Sequence, residues 1–205
     1  MTQRGVAMGR LAGYGHSWVA GEAASRRKRG LTEVAAALLG MSPVNRGVGG
    51  SSTTDTAALV CREGAVRADV YILLTGLNDA RLHGTNSQAL EAYGSALETV
   101  VAAFEKAAPD GVILLVEQPP LFDYSGYPPH DHGSTAAVDE YNRRMAQVAG
   151  GHRQAVLVDV EEWDAATMLD DDAVHPNDLG HATLAAATAR AYRAATIGST
   201  RPVHD

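Results

Sequence analysis

Short apolar runs alternate along the chain with longer segments in which apolar residues recur at helical spacing. The runs predict five β-strands, at residues 6–14, 43–45, 69–74, 112–116 and 155–158. The uninterrupted runs among them are typical of parallel strands that are buried on both faces. The periodic segments predict helices at residues 31–39, 54–62, 87–107, 136–149 and 177–195. In the third of these helices an apolar stripe is formed by Leu90, Leu97, Val101 and Phe104.

This alternation of strands and helices favours an α/β fold with a parallel sheet and helices on both faces. A chain of 205 residues can bury one full core, and neither an internal repeat nor a linker divides it. We therefore expect a single domain over residues 1–205, with a flexible tail at residues 197–205. In such sheets the ligand site forms at the carboxyl ends of the strands.

Composition excludes several classes of protein. The formal net charge of −7 argues against a nucleic-acid partner, because phosphate contacts need a basic surface. The short basic run at residues 26–29 is better explained as a solvated turn or helix end than as a partner surface. Cys61 is the single cysteine, so an intrachain disulfide is impossible. Since no apolar stretch approaches the roughly 20 residues of a membrane span and no leader is evident, we expect a cytoplasmic protein without a membrane partner.

The glycine-rich segment at residues 12–21 carries the most informative candidate chemistry. Glycines allow a tight turn after a strand, and Ser17 on such a turn would be exposed as a nucleophile. A serine nucleophile needs a base, and the base needs a carboxylate that orients it. Near the other end of the chain, Asp172 and His175 stand three residues apart and could supply both groups. Each feature alone is better explained by ordinary turn or helix-cap chemistry than by catalysis.

Other polar and glycine positions follow predicted strands in the same way as Ser17. Gly50 follows the second strand, Asn78 follows the third, and His175 lies between the last strand and the last helix. Because the carboxyl ends of parallel strands share one edge of a sheet, these residues are expected to meet there.

Four segments, in order, resemble the blocks of the SGNH (GDSL-type) hydrolase family. They are residues 15–21 around Ser17, 45–50, 76–79 and 172–176. The resemblance covers nearly the whole chain and implies a flavodoxin-like, three-layer α/β/α sandwich with a parallel sheet of about five strands. It also implies that Ser17 is the nucleophile, His175 the base and Asp172 the acid that orients it. The oxyanion hole would be formed by the N–H groups of Ser17 and Gly50 and the side-chain amide of Asn78.

Two residues depart from the family pattern. The family usually has Asp before the nucleophilic serine, where this chain has His16, and a small or aliphatic residue after it, where this chain has Trp18. The first change removes a carboxylate that would help to hold the turn. Neither position is the nucleophile or the base, so the resemblance still implies catalysis.

Alternative sites are less well supported. Residues 47–52 are glycine-rich, but Ser52 stands where a dinucleotide motif requires its third glycine and no P-loop lysine follows. His130 and His132 could bind a metal only with further placed ligands, and solvated loop histidines are the simpler interpretation. We therefore expect neither a cofactor nor a metal.

Residues 118–135 are irregular and could form a wall of the substrate pocket. Trp18, Tyr124 and Tyr127 could stack on a sugar or aryl group there, although such side chains pack in cores equally well. Trp163 is expected to be structural.

The sequence thus predicts a serine esterase that cleaves a small or medium acyl ester, such as an O-acetyl group on a sugar or natural product. An acyltransferase that uses the same acyl-enzyme and a catalytically silent ligand-binding protein are the alternatives. The partner is a small-molecule acyl ester, and the oligomeric state is left open.

Overall fold

The computed structural model describes residues 8–198, and its centre is a five-stranded parallel sheet. The strands are β1 (Arg10–Gly15), β2 (Ser42–Gly47), β3 (Val70–Leu74), β4 (Val112–Val116) and β5 (Ala155–Val158). Their order is β2-β1-β3-β4-β5, which is the flavodoxin-like arrangement. The predicted α/β class and five-stranded parallel sheet are confirmed.

Eight α-helices accompany the sheet in the described residues. They are α1 (Ser17–Ala20), α2 (Leu31–Leu39), α3 (Thr53–Glu63), α4 (Leu77–His83), α5 (Ser87–Ala107), α6 (Thr135–Gly151), α7 (Ala165–Met168) and α8 (Asp178–Gly198). The five predicted helices correspond to α2, α3, α5, α6 and α8. The short helices α1, α4 and α7 were not predicted, because four to seven residues are too few to show a helical period.

Apolar side chains fill both faces of the sheet and produce three layers. One face packs against α3, α5 and α6, where the ring of Phe104 stacks on Tyr71 with centroids 4.3 Å apart. The other face packs against α2 and α8 and includes Ile72 and Leu184. The predicted stripe on α5 lies in the first layer, with Leu97 fully buried there.

The basic run forms a 3₁₀ turn over Arg27–Arg29 on the surface. Arg27 pairs with Glu33, and Arg29 pairs with Asp178. Both arginine side chains are exposed, which agrees with the interpretation of the run as a solvated turn.

Of the tail predicted at residues 197–205, residues 197 and 198 form the end of α8. Residues 199–205 lie outside the described part of the chain, as do the first two residues of the strand predicted at 6–14. Between residues 8 and 198, no helix has the length and apolar character needed to cross a membrane.

The strand order brings the candidate residues to one place. Strands β1 and β3 are neighbours in the sheet. Strand β2 lies on the outer side of β1, and β4 and β5 follow on the other side of β3, so the strand order reverses between β1 and β3. Ligands of open α/β sheets bind at this reversal of strand order, beyond the carboxyl ends of the strands. Ser17 follows β1 and Asn78 follows β3, so both lie at the expected position.

Candidate active site

A tight turn after β1 presents Ser17 at the start of α1. Gly15 has φ +136°, and a Cβ on it would lie 1.9 Å from the Leu74 carbonyl oxygen, so a side chain is excluded there. Ser17 is nearly buried, and its hydroxyl makes no hydrogen bond to another group of residues 8–198. The hydroxyl is therefore free to act on a bound ligand.

The His16 side chain caps helix α1, at the position where the family usually has a carboxylate. The His16 ring is fully buried, and its Nδ1 accepts the Trp18 backbone N–H over 3.3 Å. With Nδ1 an acceptor, Nε2 carries the proton and donates to Gln118 Oε1 at 2.9 Å. His16 is thus the N-cap of α1 and holds the turn that carries Ser17.

The same burial lowers the pKa of His16 to about 4, mainly because the charged ring would be desolvated. Since the unfolded chain binds this proton near pH 6.5 and the folded protein only near pH 4, acid favours unfolding between these values. As the pH drops from about 6.5 to about 4, we expect protonation of His16 in the unfolded chain to lower the free energy of unfolding by about 3 kcal/mol. Urea unfolding at several pH values between 7 and 4 measures the loss.

His16→Asn is the matched control, because its Oδ1 can accept the Trp18 N–H but does not titrate. The variant should be less stable at neutral pH, since it loses the contact to Gln118. Its stability should nevertheless decline less steeply with acid than that of the wild type. Equal slopes in the two proteins would show that His16 is protonated in the folded state at the same pH as in the unfolded chain.

The loop before α8 places Asp172 and His175 in direct contact. Asp172 Oδ2 lies 2.5 Å from His175 Nδ1, while Oδ1 accepts the backbone N–H groups of Val174 and His175 at 2.9 Å each. Partial burial raises the pKa of Asp172, but the hydrogen bonds from His175 and the backbone outweigh it and hold the pKa below its ordinary value. An ionised Asp172 therefore fixes both the turn and the orientation of the ring.

Trp18 joins this loop to the turn that carries Ser17. Its indole N–H donates to the Val174 carbonyl at 2.9 Å, and its ring stacks on Trp163 at 5.1 Å. The side chain is fully buried. The expectation that Trp18 lines the substrate pocket is therefore corrected: it is a core residue that connects the neighbours of Ser17 and His175. Trp163 has the structural contact that was expected of it.

The candidate oxyanion donors surround the same turn. Gly50 is exposed with φ +72°, and its N–H has no acceptor in the described residues. Asn78 is buried at the start of α4 and uses one amide hydrogen on the Ser51 carbonyl at 2.9 Å, which leaves the other free. The buried Asp79 accepts from Thr53 N and Oγ1, and so ties the start of α3 to α4.

Asn78→Ala should lower kcat by about 10²–10³, with little change in KM, if its amide stabilises an oxyanion. A p-nitrophenyl ester assay on the purified variant measures both constants. Asn86→Ala is the control, because Asn86 caps α5 away from the turn and its loss should reduce stability only. An equal fall in kcat for the two variants would mean a general structural effect.

His175 Nε2 does not contact Ser17 in this structure. It lies 3.2 Å from Glu22 Oε2 instead. Because Nδ1 already donates to Asp172, a hydrogen bond from Nε2 to Glu22 requires a second proton on the ring. In the neutral ring, Nε2 is an acceptor and is free for a hydroxyl.

The irregular segment after β4 is held over the site by Arg81. The nearly buried guanidinium donates to the carbonyls of His130 at 3.0 Å and Gly126 at 3.3 Å. Tyr127 is exposed and donates to the Asp172 carbonyl at 3.2 Å, so it does lie beside Asp172. Tyr124 packs into both core clusters, and its hydroxyl accepts the Leu121 N–H, which makes it mainly structural.

A family model for the GDSL-like lipase/acylhydrolase family matches residues 12–183, from strand β1 into α8. The chain belongs to this family. The match spans all four segments that carry the candidate site. No curated protein matches the chain in sequence.

Several solved structures share the fold of this chain. A salicylyl-acyltransferase from a tetracycline biosynthetic pathway superposes with a TM-score of 0.69 at 20% identity, covering 96% of this chain and 57% of its own. This chain thus spans little more than half of that enzyme. A family 3 carbohydrate esterase from Clostridium thermocellum gives 0.66 at 16% identity, with 94% and 99% covered. An alpha/beta hydrolase from the metagenome of Lake Arreo, Spain, gives 0.65 at 23% identity, with 95% and 97% covered.

Three residues of the site were not found from the sequence. Gln118 is the second residue after strand β4, and the rule that polar residues after strands mark the site could have found it. Arg81 lies one turn beyond Asn78 on α4, and Glu22 directly follows the family's glycine, Gly21. Neither of these carries a local sequence signal, because their roles depend on contacts with distant loops.

Proposed function

We propose that this chain is a serine esterase that cleaves a small or medium acyl ester through an acyl-Ser17 intermediate. The observation that carries the proposal is the Asp172–His175 pair, linked through Trp18 to a serine whose hydroxyl is unpaired. Nucleophile, base and orienting acid are the parts that acyl transfer requires.

In the proposed reaction, neutral His175 accepts the proton of Ser17 Oγ as the oxygen attacks the ester carbonyl. The oxyanion that forms is held by the N–H groups of Ser17 and Gly50 and by the amide of Asn78. His175 then gives the proton to the departing alcohol. Water repeats the sequence on the acyl-enzyme and releases the acid, and Asp172 keeps the ring in the required tautomer throughout.

A cavity of about 380 Å³ beside Gly50 supports an acyl group of limited size. Its apolar lining comes from Val48, Ala58 and Leu59. Three charged residues also line it, namely Arg46, Asp55 and Arg62. We propose that the acyl chain enters this cavity, since it adjoins an oxyanion donor. Such a volume suits a short chain, an O-acetyl group included.

Fluorophosphonate labelling followed by peptide mass spectrometry tests the proposal, because it detects an activated serine without a known substrate. We expect an adduct on Ser17 that is absent from His175→Ala. A folded protein with no adduct and no turnover of p-nitrophenyl acetate would favour a ligand-binding protein without catalysis. If alcohol acceptors divert the acyl group from water in the same assay, the protein is an acyltransferase.

A further inference from the structure

Glu22 occupies a position in the site that the proposed reaction leaves unused. Its carboxylate lies 3.2 Å from His175 Nε2, the nitrogen that handles the proton in the proposed function. Its other oxygen lies against the loop that carries Gly50, where a Cβ on Gly49 would be only 2.0 Å away. The side chain therefore spans from the base to the residue next to Gly50, and the glycine at 49 makes room for it.

The backbone of Glu22 is held from two sides. Gly21, with φ +87°, ends α1 and turns the chain back, so that the Glu22 N–H donates to the Ser17 carbonyl at 3.1 Å. The Glu22 carbonyl accepts from Nε2 of the fully buried His181 at 3.0 Å. The position of the carboxylate is thus tied to the nucleophile turn and to α8, the helix that follows the base.

Among the described residues, His175 is the one possible counterion in contact with this carboxylate. Within residues 8–198, no lysine or arginine pairs with Glu22, and its side chain remains 46% exposed. A negative charge beside the oxyanion donors opposes the negative charge that develops in the transition state. A positive charge on the substrate would remove this opposition and would give the carboxylate a partner.

The position of Glu22 relative to His175 indicates which part of the substrate would carry the positive charge. His175 Nε2 hands its proton to the leaving oxygen across one hydrogen bond, and Glu22 lies one further contact away. The carboxylate is therefore within about 6 Å of the leaving oxygen, the sum of two hydrogen-bond lengths. Since the leaving oxygen belongs to the alcohol portion of the ester, that portion lies within reach of Glu22.

We propose that Glu22 is a specificity-determining residue that selects esters whose alcohol portion bears a cationic group two or three bonds from the ester oxygen. The inference rests on the proposed esterase function and adds the substrate class. Amino-alcohol and quaternary ammonium esters have this spacing. In the protein without substrate, the Glu22 carboxylate contacts His175 Nε2. When such an ester is bound, its cation replaces the imidazole as the partner of Glu22, and Nε2 is released to accept the Ser17 proton.

Two esters of nearly equal shape test the proposal. They are acetylcholine, the acetate ester of choline, and its uncharged analogue 3,3-dimethylbutyl acetate. We expect the wild type to show a kcat/KM about fivefold higher for the choline ester, the preference that one partly exposed ion pair provides. In Glu22→Gln the ratio should fall to about one, and in Glu22→Asp it should stay above one. Glu91→Gln, which removes an exposed charge from the distant α5, should leave the ratio unchanged.

Salt dependence gives a second readout that needs no variant. Raising the salt from about 0.02 M to about 0.5 M should reduce the wild-type preference, because an exposed ion pair is screened. Equal ratios in the wild type and Glu22→Gln, with both esters cleaved, would overturn the proposal and leave the esterase function standing. Cleavage of neither ester, together with no fluorophosphonate adduct on Ser17, would overturn the esterase function itself.

Discussion

Ser17→Ala should abolish turnover, with kcat/KM for a p-nitrophenyl ester falling by about 10⁴–10⁶. The proposed acyl-enzyme cannot form without Oγ, and the oxyanion donors alone provide only a small residual rate. Because the Ser17 hydroxyl has no hydrogen-bond partner in the described residues, its removal leaves no buried group unpaired. The thermal midpoint of Ser17→Ala should therefore equal or exceed that of the wild type.

The combination of lost activity and retained stability separates a nucleophile from a structural serine. Ser95→Ala, on the exposed side of α5, is the control and should keep full activity. Retention of a tenth or more of the wild-type rate by Ser17→Ala would assign the nucleophile to another residue. A large drop in thermal midpoint would instead show that Ser17 supports the turn itself.

The strands and long helices could be predicted because each repeats a local pattern over many residues. Helix α2 is predicted with its observed bounds, since Gly40 ends it in the left-handed conformation, with φ +65°. Helix α1 could not be predicted, because its four residues lie between glycines and resemble a simple turn. Strand order also has no local signal, and only the resemblance to a family indicated it.

In the candidate site, too, roles that depend on local spacing could be predicted from the sequence, whereas roles that depend on contacts between distant residues could not. Asp172 and His175 could be paired from their spacing alone, because three residues within one turn bring them into contact. The capping role of His16 depends on burial against Gln118, which lies 102 residues away in the chain. Trp18 could not be assigned, since a tryptophan fits a core and a pocket wall equally well and only the tertiary structure decides.

Asp172→Asn should lower kcat by about 10⁴ while the loop stays folded. The asparagine can keep the Oδ1 contacts to the Val174 and His175 N–H groups, so the turn survives. Its amide would face Nδ1 as a donor, which moves the ring proton to Nε2 and removes the base that Ser17 needs. Steady-state kinetics measure the loss, and circular dichroism checks the fold.

Two controls separate this role from a simple loss of negative charge. Asp171→Asn removes the exposed neighbouring carboxylate and should leave kcat within about twofold, since surface charges have small effects. Glu22→Gln removes the second carboxylate that touches His175, yet it lies at Nε2 and cannot orient the ring for proton uptake there. If Glu22→Gln caused the 10⁴-fold loss and Asp172→Asn did not, the orienting acid would be Glu22, and the ring would present Nδ1 rather than Nε2 to the nucleophile.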